Sequence, residues 1–295
     1  MKPTLIINEK LVDNSTLFQN EFYNRFDLQK HTLKLNDEIS KQYLFPTFYG
    51  NVTQSVGIFL CSYEKAKRLM PHKNLLPVKM GFGRTLVIFS CYEYKNVHQV
   101  ASYNEIAMTI PVMANPLVNI PLLPMVLSSM FKKFGYFVFS MPVTSLENQI
   151  RGQKIWGLPK AVQEISCINK EGYHINTAKE ETGEDYFELK VPVSGKKTEL
   201  DENGYLYSNL NNKIIRAQTC FKGQYNINKY MKRLISSDKK ENSFLTLGDT
   251  KSGKILQNLE IDSQPFQFRY AENISSCFDL PDNKSETFLN KNFNK

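Results

Sequence analysis

The chain has 295 residues, 41% of them hydrophobic, so it can bury a substantial core as a globular protein. Its net charge is +8, but its 37 Lys and Arg residues are spread along the chain without a dense run or a binding motif, which argues against a nucleic-acid partner. No apolar run reaches the ~18 residues of a membrane span, and the amino terminus lacks a signal-peptide core. The five cysteines are scattered, as is usual in a reducing compartment. We therefore expect a cytoplasmic protein.

The amino-terminal half is predicted to alternate strands with short helices. Ser62 can cap a helix that runs to about Met70 and that Pro71 ends. Residues 117–134 are strongly apolar but broken by two prolines, and the part from Met125 is predicted to form a short helix. We interpret this segment as a core-packed helix with its preceding loop; a lid over an apolar pocket and a contact between subunits are the alternatives. The predicted strands cover residues 4–8, 50–60, 84–94, 103–113 and 135–143.

The carboxy-terminal half is predicted to consist mainly of strands joined by polar turns. Residues 236–254 are mostly polar and read as a long loop, and residues 281–295 form a polar tail that we expect to be mobile. The sequence thus predicts an α+β protein, mostly antiparallel β with a few short helices, as a single domain over residues 1–280. The predicted strands cover residues 163–168, 186–191, 205–210, 213–221, 255–261 and 266–270.

The sequence RGQKIWGLPK, residues 151–160, places a lysine after a short, proline-stiffened and largely apolar stretch. A helix over residues 146–151, capped by Thr144 or Ser145 and ended by Gly152, is predicted to lead into it. An exposed lysine has a pKa of ~10.4, whereas a catalytic amine needs ~7–8, and burial can lower the pKa by ~3–5 units. Lys160 is therefore the candidate nucleophile, with a solvated loop lysine as the alternative.

This motif and two further blocks resemble the acetoacetate decarboxylase family. IWGLPK, with Gly152 upstream, is similar to the family's Gly-Arg-Glu-x-Trp-Gly-Phe-Pro-Lys-Lys signature. YNEI at residues 103–106, followed by IPV at residues 110–112, resembles the family's Tyr-x-Glu strand with its Ile-Pro-Val. Residues 62–71 are a weaker match to a short helix near the family's amino terminus. The order and approximate spacing agree over residues 40–170.

The resemblance implies a fold, a chemistry and site residues. The fold would be a closed, cone-like β-barrel around a buried pocket, in a homo-oligomer. Lys160 matches the family's Schiff-base lysine, and Glu105 matches its active-site glutamate. This family is itself the standard example of a lysine activated as a nucleophile. The partner would be a small-molecule keto acid, and neither a cofactor nor a metal is expected because the protonated imine withdraws the electrons. Trp156, Leu158 and Tyr103 are expected to line the substrate site, with core packing as the alternative for Trp156 and Leu158.

The chain also departs from the family pattern around the lysine. The family's second lysine is Ala161 here, its Arg-Glu pair is Gln153-Lys154, and no arginine lies between Tyr43 and Ser62. Desolvation is then the main means of lowering the pKa of Lys160. Lys154 could supply a replacement charge, because residues six apart in an extended segment face the same side; a solvated Lys154 is the alternative.

The sequence therefore predicts a Schiff-base lyase that decarboxylates a β-keto acid without a cofactor. Two alternatives stay open: a Schiff-base aldolase or dehydratase acting on another oxo acid, and a non-catalytic protein of this fold that binds a lipophilic carbonyl compound. No hydrolase, nucleotide-loop or zinc-protease motif is present, and the four histidines are isolated from one another, so no metal site is predicted.

Overall fold

The computed structural model describes residues 1–116, 119–127, 130–234, 244–282, 284 and 289. These residues form fifteen strands and four α-helices, with short 3-10 helices at Ser15–Leu17, Tyr23–Arg25 and Met231–Leu234. The helices are α1 Tyr63–Arg68, α2 Leu123–Val126, α3 Leu146–Trp156 and α4 Lys251–Gln257. The strands are β1 Gln29–Lys34, β2 Ser40–Phe45, β3 Thr47–Ser62, β4 Leu75–Pro77, β5 Arg84–Val97, β6 Tyr103–Ala114, β7 Phe134–Val143, β8 Lys160–Val162, β9 Ile165–Lys170, β10 Tyr173–Lys179, β11 Asp185–Pro192, β12 Lys196–Leu210, β13 Lys213–Lys229, β14 Leu245–Leu247 and β15 Pro265–Asp282.

Seven strands close into a barrel in the order β6-β5-β3-β15-β13-β12-β7, because β7 also pairs with β6. Most of these pairs are antiparallel, and β7 with β12 is the parallel pair among them. The short strand β8 continues the sheet beside β7, also in parallel. The predicted class, mostly antiparallel β with a closed barrel and short helices, is confirmed.

A second sheet, in the order β14-β11-β10-β9, covers one outer face of the barrel. Strands β3, β5 and β6 direct alternate side chains outward, and residues such as Phe59, Phe89 and Ile106 pack there against Phe187 and Leu189 of β11 in one buried cluster. These barrel strands are therefore buried on both faces, which explains why their sequences read as almost continuous apolar runs.

Most predicted strands are confirmed. One error occurs where the same spacing of apolar residues is compatible with both a strand and a helix. Residues 255–261 do not form a strand, because residues 255–257 belong to α4, which ends at Gln257. Leu256 and Leu259, three residues apart, are both buried. The Thr250 hydroxyl caps the amino terminus of α4 by accepting a hydrogen bond from Gly253 N. The predicted strand at residues 4–8 is reduced to a bridge between Thr4 and Ser145. The sequence reading also missed β1, β2, β4, β8, β10 and β14.

The apolar segment 117–134 is only partly described. Its helix, α2, ends at Val126, close to where the predicted helix begins, and Pro124 occupies a position in its first turn that tolerates proline. Residues 117, 118, 128 and 129, residues 235–243 of the predicted polar loop and most of the predicted tail lie outside the described residues. Within the described part of the chain, no helix is long and apolar enough to cross a membrane.

Candidate functional site

Helix α3 brings the chain to Lys160 and is longer than the sequence predicts. Ser145 caps it by accepting a hydrogen bond from Asn148 N, and it continues through Gly152 to Trp156. Its end is at Gly157, whose φ of 57° is left-handed. A Cβ at Gly157 would lie 2.3 Å from the carbonyl oxygen of Asn209, so only glycine fits there. The predicted helix end at Gly152 is therefore wrong, because a later glycine provides the left-handed turn.

Gly152 instead makes room for the lysine side chain. A Cβ at this position would lie 2.4 Å from Cδ and 2.7 Å from Cε of Lys160. Carbon atoms in contact are normally ~3.5–4.0 Å apart, so the stem of Lys160 occupies the space that any other residue at position 152 would fill. The glycine of the motif thus determines where the lysine can lie.

Lys160 and Glu105 meet across strand β7. Lys160 on β8 is paired with Met141 of β7, and Glu105 on β6 is paired with Val143 on the other side of β7. Two strand spacings separate the two backbones by ~10 Å, a gap that a lysine and a glutamate side chain together can bridge. Nζ of Lys160 lies 2.6 Å from Oε2 of Glu105, and the two residues are 7% and 5% exposed.

Burial lowers the pKa of Lys160, because the charged ammonium loses its hydration. Glu105 acts in the opposite direction through its charge and its hydrogen bond, and the charge of Arg151 lowers the lysine pKa further. The hydroxyl of Tyr94 donates a long hydrogen bond of 3.5 Å to the other oxygen of Glu105. Burial raises the pKa of Tyr94 and of Tyr103 well above the ordinary value, so both phenols are neutral hydrogen-bond donors at this site.

Arg151 is a buried cation that the sequence reading passed over. It is 2% exposed, its guanidinium donates to Oδ1 of Asn148 and to Oγ1 of Thr47, and it stacks 4.4 Å above the ring of Tyr43. Among the residues that the structure describes, no carboxylate pairs with it, and its Nε has no hydrogen-bond partner. The nearby carboxylate of Glu147 is instead occupied by the ammonium of Lys41.

Tyr43 completes the pairing of Glu147 by donating a hydrogen bond of 2.6 Å to its Oε1. With Glu147 neutralised by Lys41, the charged groups that the described residues place at this site are one carboxylate, Glu105, and two cations, Lys160 and Arg151. The site therefore has one positive charge in excess when the lysine is protonated. An unpaired buried charge costs several kcal/mol, so the site favours an anionic ligand. A signal for Arg151 existed in the sequence, since it begins the motif that ends at Lys160.

The other predicted site residues lie close to the lysine, in different roles. Trp156 and Leu158 are buried and line the cavity beside Lys160, and Trp156 is fixed by donating from Nε1 to the carbonyl oxygen of Asp279. Tyr103 is buried beside the ammonium, which lies 5.6 Å from its ring centroid. Lys154 is exposed, in agreement with the reading of a solvated residue, and supplies no replacement charge: it belongs to α3, not to an extended segment, and its ammonium donates to backbone carbonyls at residues 34 and 35.

The pair faces a cavity inside the barrel with a volume of about 1040 Å³. Lys160, Glu105 and Arg151 line one end of it, together with Tyr49 and Tyr94. No group of three or more His, Cys, Asp or Glu side chains within the described ranges could hold a metal ion. The arrangement can therefore hold an anionic, carbonyl-bearing molecule against a lysine of lowered pKa, with a carboxylate positioned to move protons.

Comparison with known proteins identifies a family and a common fold. The acetoacetate decarboxylase family profile matches residues 35–240 of this chain. Three solved structures share the fold: an acetoacetate decarboxylase from Legionella pneumophila (TM-score 0.54, 13% identity, 80% of this chain and 86% of that chain covered), the enduracididine biosynthesis enzyme MppR complexed with pyruvate (0.53, 12%, 80% and 88%), and another acetoacetate decarboxylase (0.51, 13%, 80% and 87%). No curated protein sequence gives a significant match.

Proposed function

Because this chain belongs to the acetoacetate decarboxylase family, we propose that it is a cofactor-independent lyase that decarboxylates a β-keto acid through an imine on Lys160. The observation that supports this proposal most directly is the buried pair of Lys160 and Glu105 at 2.6 Å, facing the cavity inside the barrel. An ordinary surface lysine is hydrated and lacks the lowered pKa that imine chemistry needs.

The reaction begins when Glu105 accepts a proton from the ammonium of Lys160, directly across their hydrogen bond. The free amine attacks the keto carbon, Glu105 returns its proton to the departing hydroxyl as the carbinolamine loses water, and a protonated imine forms. The bond between the α carbon and the carboxylate then breaks, its electron pair moves to the imine nitrogen, and carbon dioxide leaves. A proton from solvent, passed on by Glu105, is then added to the enamine carbon and gives a protonated imine whose hydrolysis releases the ketone and the lysine.

Arg151 supplies the charge that attracts the substrate into this site. The family's early arginine has no counterpart here, and Arg151 is a buried guanidinium at the same end of the cavity as Lys160, without a carboxylate partner in the described chain. With the protonated imine, Glu105 and Arg151 present, a substrate carboxylate brings the net charge of the site to zero. The resemblance also leads us to propose a homo-oligomer in the cytoplasm, with one catalytic domain over residues 1–280.

A second candidate is aldol or dehydratase chemistry on an oxo acid whose carboxylate is retained. It is compatible with Arg151, because a guanidinium can also hold a carboxylate that stays on the product. The MppR structure that shares this fold was determined with pyruvate, a 2-oxo acid. In both candidates Lys160 forms the imine, and they differ in whether carbon dioxide is released.

Reduction with borohydride tests the proposal directly. The protein is incubated with acetoacetate or pyruvate, reduced, and analysed by peptide mass spectrometry, with carbon dioxide measured in parallel. We expect an irreversible adduct on Lys160 and none in the Lys160→Arg variant, since a guanidinium stays protonated and forms no imine. An adduct with release of carbon dioxide supports the decarboxylase, and an adduct without it supports the second candidate. Absence of any adduct across keto acids would instead favour a non-catalytic binding protein.

A further inference from the structure

The interior of the barrel is arranged in levels that can be read from the strand register. On β3, β5 and β6 every second side chain points inward, and the register places three residues side by side at each level. The first level, next to Lys160, consists of Gln54, Tyr92 and Glu105; the second consists of Val56, Ser90 and Ala107; the third consists of Ile58, Ile88 and Thr109. All nine residues line the cavity.

On β5 and β6 the second level leaves the interior open because its side chains are small. Ser90 of β5 is paired with Ala107 of the adjacent strand β6, and neither is long enough to cross the barrel, whereas Tyr92 at the first level stacks on Phe221 of β13. The cavity therefore continues past the candidate catalytic pair and does not end there. At ~3.3 Å per residue, Thr109 lies ~13 Å along β6 from Glu105.

Beyond the second level, β3 and β5 form an apolar wall. Ile58 and Ile88 belong to a buried cluster with Phe266, and Val56 joins them from the level above. Polar groups line the cavity beside this wall: Thr109, Gln267, whose Nε2 has no hydrogen-bond partner, and Arg269, which is paired with Val56 and forms an ion pair with Glu202. The apolar wall thus contrasts with the end of the cavity where Lys160, Glu105 and Arg151 are found.

The cavity is far larger than a four-carbon acid needs. Its volume of about 1040 Å³ is at the upper end of the ~300–1,000 Å³ typical of pockets that enclose drug-sized ligands. An acetoacetate held between Arg151 and Lys160 would leave the second and third levels unfilled. Apolar surface that a ligand covers contributes to its binding in proportion to the area removed from water.

We propose that the preferred substrate is a 3-oxo acid with a medium-length apolar chain, whose carboxylate pairs with Arg151, whose keto carbon meets Lys160, and whose chain extends along the second and third levels. This inference rests on the proposed imine chemistry of Lys160, and it adds the substrate class that the shape of the interior selects. The apolar chain of this substrate is attached to the keto carbon on the side opposite the carboxylate, and the cavity continues in that direction.

The test is a chain-length series on the intact protein. Borohydride trapping at Lys160 and kcat/KM are measured for acetoacetate, 3-oxohexanoate and 3-oxooctanoate, each normalised to the rate of the same acid with a small amine in solution. A fully buried methylene is worth about fourfold in affinity, so we expect an increase of about two- to fourfold per methylene and at least about tenfold across the series. Equal or falling rates with increasing chain length would overturn the inference while leaving the imine chemistry intact; no adduct with any acid would refute the proposed function itself.

Variants at the second level test the location of the chain. Ala107→Leu and Ser90→Leu each place a larger side chain in the path from the adjacent strands β6 and β5. Each should lower the ratio of kcat/KM for 3-oxooctanoate over acetoacetate by at least about tenfold. Ala107→Ser is the matched control, since it adds no comparable volume and should keep the wild-type ratio. A ratio unchanged in both leucine variants would overturn the placement. If a leucine variant fails to fold, as judged by thermal unfolding, the wild-type series decides alone.

Discussion

Replacing Gly152 by alanine tests whether the glycine positions the lysine. The added Cβ would lie 2.4 Å from Cδ of Lys160, whereas carbon atoms in contact are ~3.5–4.0 Å apart, so the lysine stem or the helix must retreat by at least ~1 Å. Helix α3 is held in place at its end, where Gly157 lies against Asn209 and Trp156 donates to Asp279. We therefore expect the lysine to move and the 2.6 Å contact with Glu105 to break.

The effect on activity should be large and the effect on stability small. A reacting group displaced by ~1 Å can cost ~100-fold in rate, so trapping of a keto acid on Lys160 should slow by about that factor. Alanine is a better helix former than glycine by ~1 kcal/mol, which offsets part of the steric cost, so the Tm should change by only a few degrees. The assay is the rate of borohydride trapping together with thermal unfolding of the same sample.

Gly204→Ala is the matched control. Its added Cβ would meet Thr219 and Tyr136 at 3.8 Å, an ordinary contact distance, so its trapping rate should remain near that of the wild type. A Gly152→Ala variant that traps keto acid at the wild-type rate would refute the reasoning. Loss of trapping together with a Tm lowered by more than about 10 °C would show instead that the helix, and not the lysine, gives way.

Five further substitutions make separate predictions. Lys160→Arg should fold and lose all turnover, and detectable turnover would exclude Lys160 as the nucleophile. Glu105→Gln removes the charge that raises the pKa of Lys160, so the acid limb of the kcat/KM profile should move to lower pH while the rate falls. Arg151→Gln removes a charge that lowers this pKa, so the same limb should move to higher pH while KM for the keto acid rises. Ala161→Lys should leave the limb in place, because neighbouring residues of β8 face opposite sides and Ala161 does not line the cavity. Burial lowers the pKa of His174 to about 4, below the ~6.5 of the unfolded chain, so the unfolded state binds its proton first and the free energy of unfolding should fall by about 2–3 kcal/mol as the pH drops from 6.5 to 4. His174→Gln should weaken that pH dependence in denaturant titrations, and an unchanged slope would contradict the assignment.

The sequence by itself determined the fold class and the two residues of the candidate catalytic pair. Strands rich in β-branched and aromatic residues can be predicted from the local sequence, as at residues 84–94 and 103–113. These residue types favour a pleated, buried backbone, so the strand can be predicted without knowing which strands pair with it. The motif around Lys160 and the strand containing Glu105 could also be found in the sequence, because each is a short run of neighbouring residues that can be compared directly with the family's motifs.

Only the tertiary structure decided which residues meet. Glu105 and Lys160 are 55 residues apart in sequence, and they touch because β7 separates β6 from β8 by two strand spacings. The role of Gly152 depends on the path of the Lys160 stem. The charge of Arg151 is balanced by no carboxylate among the described residues, because Lys41 neutralises Glu147 from a distant strand. These contacts depend on barrel closure and register, which are set by the whole set of strand pairings, so no local pattern contains them.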